Sequence, residues 1–258
     1  MSDFDRDPQR WTHAGWRRHR ESLLLTDPPS GENFASGGLA AWATPLDVRV
    51  VVLPAAVDNA DRVPLDTDTA EWIAQDRPAP YGGRGLQWGH STVATSTAVV
   101  RASWHRDDQE WDRYVAIHRH GGIEAGLANL SWETNGQRAF ALRRTAGVVW
   151  IVAQVQIEAV EKWSIEGPWE VSLAMRNTAG ATLGDFAEGW AEFGDFRHSG
   201  IACREAHILH RWTIDTIDPP SLALEAGARI ENSFGTTHRR HLAARGEYEG
   251  QFDPRFGW

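Results

Sequence analysis

Cysteine is almost absent from this chain: Cys203 is the only one among 258 residues. A single thiol excludes an internal disulfide framework and fits a reducing, cytoplasmic setting. Lysine is as scarce. Lys162 stands alone, so arginine supplies the other 25 of the 26 basic residues, and the surface cations are forked and weakly hydrated. Long apolar runs are missing too. The longest, Ala146 to Ala153, covers 8 residues, where a bilayer-spanning helix needs about 20. No basic start followed by an apolar stretch opens the sequence, so no signal peptide and no membrane association are expected. An excess of positive charge is also lacking, since 26 basic residues face 35 acidic ones for a net charge of −9. Between Thr26 and Gln75, eight acids (Asp27, Glu32, Asp47, Asp58, Asp61, Asp66, Asp68 and Glu71) face only Arg49 and Arg62. The one dense basic run is Arg17-Arg18-His19-Arg20, and His238-Arg239-Arg240-His241 is a weaker one. Two short clusters do not form a groove for a phosphate backbone, so net charge argues against duplex nucleic acid as a partner.

What is present is an ordinary globular composition, 41% hydrophobic and 24% charged, with 14 tryptophans. Indole combines large apolar area with one donor, so a tryptophan-rich chain points to a substantial core and to aromatic binding surfaces.

The patterning predicts an α+β fold. Asp7-Pro8 starts a peripheral helix to about Leu25, with Trp11, Ala14, Arg18, Ser22 and Leu25 along one stripe. Gly31 to Gly38 reads as a linker. Leu46 to Leu53 is valine-rich and nearly continuously apolar, the signature of a strand buried on both faces. Thr67 or Asp68 can cap a short helix through Ile73. Arg77 to Gly85 is rich in proline and glycine and marks an internal boundary near residues 77–90. Its Gly82-Gly83-Arg84-Gly85 lacks the Gly-Lys-Ser/Thr continuation of a phosphate loop, so it reads as a connector.

From Ser91 to Trp104 the pattern is β. Trp111–His120 and Ile123–Leu130 flank Gly121-Gly122 as a hairpin with a two-residue turn, and Asn135-Gly136 offers a second turn. Thr145 to Trp163 fits both periods, but its length favours a helix. Pro168 to Met175 is a strand, Asn177 to Gly180 a turn, and Leu183 lies in a return strand. Ser221 to Phe234 is a helix with Leu222, Ala226, Ile230 and Phe234 on one face. The expected architecture is an antiparallel-rich sheet with two long helices packed on one face. Its expected organisation is an N-terminal helix and linker over 1–36, a globular domain over 37–245 and a tail over 246–258.

One cluster invites chemistry. On a helix, Cys203, His207 and His210 fall at i, i+4 and i+7, and with His198 they make a thiolate–imidazole set suited to zinc. On a strand His210 points away and the set dissolves. His118 and His120, at i and i+2 on a strand, share a face and could join such a site; beside a turn they would instead be exposed. Cys203 with His207 or His198 as base is the corresponding thiol-nucleophile arrangement. No Gly-x-Ser-x-Gly elbow is present. Trp11 and Trp16 beside Arg17, Arg18 and Arg20 suit a partner protein better than single-stranded nucleic acid, given the negative total.

Several C-terminal segments carry a resemblance. They are Gly167-Pro168-Trp169-Glu170-Val171, Arg176-Asn177-Thr178-Ala179-Gly180, Gly184-Asp185-Phe186-Ala187-Glu188-Gly189-Trp190, Cys203-Arg204-Glu205 and Ile230-Glu231-Asn232-Ser233-Phe234-Gly235. Together they resemble the accessory region of bacterial proteins that carry a Schlafen-type AlbA DNA-binding domain. Nothing upstream resembles the DNA-binding domain itself. The resemblance implies a sensing module acting beside a regulator or defence effector, and it transfers no functional residue. The expected function is therefore a non-catalytic module that binds a protein partner or small molecule without a cofactor. The alternative is a metal- or thiol-dependent hydrolase using zinc or the Cys203 thiol.

Overall fold

The computed structural model describes residues 47–55, 61–75, 77, 88–89, 91–94, 98–105, 110–128, 130–134, 136–186, 196–198, 201–237, 242, 250 and 252. The expected helix from Pro8 to Leu25, the linker from Gly31 to Gly38, the Gly82–Gly85 loop and both basic runs lie outside them.

The first strand, β1 (Val48–Pro54), is buried along its whole length, as its valine run requires. It lies between β5 (Ile123–Leu127) and β8 (Trp169–Arg176), antiparallel to both. Together with β2 (Ser91–Ala94), β3 (Ala98–His105), β4 (Glu110–His118) and β11 (His207–Ile214) they form a seven-stranded sheet in the order β11-β8-β1-β5-β4-β3-β2. Every neighbouring pair is antiparallel. A second sheet has the order β10-β9-β7-β6, from β6 (Ser131–Thr134), β7 (Gln137–Ala141), β9 (Thr182–Phe186) and β10 (Phe196–His198). Three helices complete the described fold: α1 (Thr67–Ile73), α2 (Leu142–Trp163) and α3 (Pro219–Ser233). The chain is α+β, with an antiparallel-rich main sheet.

Strand alternation divides the main sheet into two unlike faces. Val48, Val50 and Val52 lie level with Met175, Leu173 and Val171 of β8 and join the large core. Val148, Val152, Val155 and Ala159 of α2 and Leu222, Ala226 and Ile230 of α3 belong to that same core, and the two helices lie against each other. Phe140 of β7 meets Phe234, which caps α3, at a ring separation of 6.3 Å. The opposite face carries Arg49, Val51 and Leu53.

Residues 145–163 are helical because the stripe Val148–Val152–Val155–Ala159 meets the core at 3.6-residue spacing. β7 runs directly into α2 without a capping side chain, and Thr145 Oγ1 donates back to Ala141 O at 2.8 Å. Helix α1 is capped by Asp66, before either expected cap, Thr67 or Asp68: the Asp66 carboxylate accepts from Thr69 N at 2.9 Å.

Three other local expectations change. The β run from Ser91 is two antiparallel strands, β2 and β3. The Gly121-Gly122 turn is a four-residue connection from Arg119 to Gly122, closed by His118 N donating to Gly122 O and Gly121 N donating to His118 O. The strand after the Asn177–Gly180 turn does not return beside β8, whose two edges are taken by β1 and β11. It pairs in parallel with β7 in the second sheet.

β1 precedes the 77–90 stretch, yet its partners β5 and β8 follow it, so the core is continuous across that expected boundary. Asp47 ties the sheets together: Oδ2 accepts from Leu130 N, Ser131 N and Ser131 Oγ, each at 2.9 Å, and Oδ1 accepts from Arg138 at 2.7 Å. In the expected C-terminal tail, Phe252 is buried beside Ala146 and Ala223 and bridges to Leu242. Among the described residues no helix is long and apolar enough to cross a membrane.

Candidate functional site

The Cys203, His207 and His210 set does not share a helical face, because residues 207–214 are strand β11 and Cys203 precedes it. Ile208 and Trp212 join the core with the helices, so His210, between them in the alternation, lies on the helix side. Leu209 packs with Val51, Leu53 and Ala174 on the other face, and His207 belongs to that side. His207 is exposed. His210 is half-buried, with Nε2 2.9 Å from Ser233 Oγ. Burial, and then the Arg229 charge, lower its pKa, against smaller raising effects of the Arg229 carbonyl and Glu205. The imidazole therefore stays neutral at pH 7. Cys203 is buried, its thiol 3.6 Å from Glu205 O and 3.8 Å from Ser233 O. His198 lies on β10, opposite Gly184 in the second sheet. Among the described residues no group of three or more His, Cys, Asp or Glu could hold a metal ion.

His118 and His120 do come together, although only His118 is on the strand. It ends β4 and is buried rather than exposed. His120 lies in the following turn, and the two rings stack at 5.1 Å with 8° between their planes. Sequence spacing alone signalled this pair. What it did not reveal is what surrounds His118.

The register of β1, β5 and β4 assembles that surrounding on the sheet face opposite the helices. Val51 and Ala116 both lie level with Glu124, while Arg49 and Tyr114 both lie level with Gly126. Directly paired residues of an antiparallel sheet project to the same side, so Arg49, Tyr114, His118 and Glu124 share one face. Gly126 stands between Arg49 and Tyr114 and carries no side chain. Each carboxylate oxygen of Glu124 takes a donor: the Tyr114 hydroxyl on Oε1, and His118 Nε2, 3.0 Å away, on Oε2. All four side chains are buried.

Electrostatics fix the protonation of two of them. Burial pushes the Glu124 carboxyl up, but the hydrogen bond and charge of His118, the Arg49 charge and the Tyr114 hydroxyl outweigh it. The net result lies below the ordinary carboxylate value. Burial, followed by the Glu124 charge, pushes the Tyr114 hydroxyl well up, and the Arg49 charge only partly offsets this. Tyr114 is thus a fixed donor and Glu124 a fixed acceptor. The ionised carboxylate makes His118 Nε2 a donor as well.

Arg49 is the anomaly. It is 2% exposed, and its Nε and Nη1 have no hydrogen-bond partner. Ser172 of β8 lies level with Val51 on the same face and is fully buried with an unpartnered hydroxyl. Buried polar groups are satisfied as a rule, which singles out Arg49 and Ser172 as the candidate contact atoms of this face.

Helix α2 holds the hairpin that carries this site. Gln156 Nε2 donates to Gly121 O at 2.8 Å, and its Oε1 accepts from Ile123 N at 3.0 Å. Gly121 has φ +90°, which glycine adopts without strain, and a Cβ there would sit 2.6 Å from Ile165 Cδ1. One signal for the site was available in the sequence: Asp47 and Arg49 interrupt an otherwise apolar run, and charges in a strand buried on both faces need a purpose. Tyr114, Glu124 and Gln156 carry no such local mark. A scan against protein-family models and searches of curated proteins and of solved structures find no match to this chain.

Proposed function

We propose that the chain is a non-catalytic binding module for a small molecule, with the Arg49–Tyr114–His118–Glu124 cluster as its recognition site. The observation that supports this reading is the buried Arg49 guanidinium, whose Nε and Nη1 have no hydrogen-bond partner. A small ligand fits such a place better than a protein partner does, because the group lies within a buried sheet face and not on an exposed surface. An accessory role beside a bacterial regulator or defence effector, as the C-terminal resemblance implies, belongs to this proposal, as does a cytoplasmic setting.

The test is a thermal-shift screen of small polar compounds against the full chain and its Arg49→Met variant. The expected result is a compound that raises the melting temperature of the parent and not that of the variant. Stabilising compounds that act equally on both proteins would overturn the reading.

A further inference from the structure

The turn that joins β4 to β5 carries a device of its own. We infer that His120 is a proton-operated latch on this turn: neutral, it holds the Gly122 corner closed, and taking up a proton from solvent releases that corner as pH falls through the histidine range. The inference is independent of any ligand. Its basis is a hydrogen bond to a ring nitrogen: Gly122 N donates to His120 Nδ1 at 3.1 Å, and a ring nitrogen accepts only while it carries no proton. Glycine makes this approach possible, since a Cβ on Gly122 would sit 2.8 Å from His120 Cε1 and would collide with Leu53 Cδ2 of β1. Protonating Nδ1 sets two donors against each other. The closed corner therefore binds one proton fewer than the open one, so falling pH favours opening.

The charges around the turn do not reverse this sign. The His120 ring stacks on His118 of β4, and any charge on His118 repels a second one 5.1 Å away. Glu124 of β5 is already engaged by His118, the Tyr114 hydroxyl and the Arg49 charge of β1. On the same face β8 contributes Glu170, level with Leu53, and β11 contributes Arg211, level with Ser172, while Arg176 and His207 lie at the opposite end of those strands. Within the turn, Arg119 pairs with Asp61 at 3.2 Å. Helix α2 presents the uncharged Gln156, and Ile165 beyond it packs on Gly121. Among the described residues Glu170 is the acid placed to favour an imidazolium from across Leu53, and it lessens repulsion without restoring an acceptor at Nδ1. Release is local, because the His118 N bond to Gly122 O and both Gln156 bonds do not involve the ring.

The test is hydrogen exchange followed by NMR on the full chain at about pH 7.5 and about pH 5.5, which span the imidazole range. The Gly122 amide's protection factor, which is relative to intrinsic exchange chemistry, is expected to fall about fivefold in the parent, the worth of one hydrogen bond. His120→Asn supplies a side-chain acceptor that does not titrate, so its Gly122 protection is expected to stay constant. The Val152 amide of α2 serves as reference and is expected to keep its protection in both proteins. Constant Gly122 protection in the parent, or an equal fall in His120→Asn, overturns the latch. Where asparagine fails to hold the corner, the imidazole nitrogen shifts of the parent decide. The latch requires His120 Nδ1 to be unprotonated at about pH 7.5 and to gain its proton at the midpoint of the Gly122 loss, and a protonated Nδ1 or a separate midpoint overturns it.

Discussion

The guanidinium of Arg49 is buried with two unpartnered donors, and a buried donor left unsatisfied costs about 1–3 kcal/mol. Glu124 offsets part of this by charge alone. Replacing buried ionic groups with apolar or neutral ones of similar size is often neutral or stabilising. The double variant Arg49→Met/Glu124→Gln is therefore expected to melt no lower than the parent in scanning calorimetry; a loss of more than about 3 kcal/mol would make the pair a structural necessity. Glu124 also predicts a pH response. Its folded-state pKa lies below the ordinary value of 4.5, so its stabilising contribution is complete above that value and is lost as pH falls through the folded pKa. Urea unfolding between pH 7 and pH 3 should show a shallower acid decline in Glu124→Gln than in the parent.

Elements, more than residues, were legible in the sequence. The valine run of β1, the stripe of α2 and the Leu222–Phe234 face of α3 each repeat at the period of the structure they form. The pairing partners were not legible, because they depend on which edges are already occupied. β9 shows this: its turn was correctly marked by Asn177 and Gly180, both at positive φ, yet its partner is β7. The site was hidden for a related reason. Arg49, Tyr114 and Glu124 sit on three strands and meet only through register, so no spacing within one segment announces them. The link between α2 and the β4–β5 connection is similarly long-range, 33 and 35 residues apart. Gln156→Leu leaves Gly121 O and Ile123 N unpaired, at about 1–3 kcal/mol each. Hydrogen exchange at Gly121 to Ile123 should accelerate strongly in that variant, while the α2 amides away from Gln156 stay protected.

Across the whole molecule, one core joins the helix-side face of the main sheet to the second sheet, and Phe140 sits where they meet, fully buried against Phe234. Phe140→Ala is expected to destabilise the chain by about 3–5 kcal/mol, through lost burial and the void it leaves. Chemical denaturation should show one cooperative loss of both sheets; separate transitions would contradict a shared core. Cys203 offers a way to watch that cooperativity without any engineered label. As the only thiol, packed near the carbonyls of Glu205 and Ser233, it must become accessible before a disulfide reagent such as dithiobisnitrobenzoate can reach it. The rate at which the native protein turns such a reagent yellow is thus a clock for how often the end of α3 parts from the segment leading into β11.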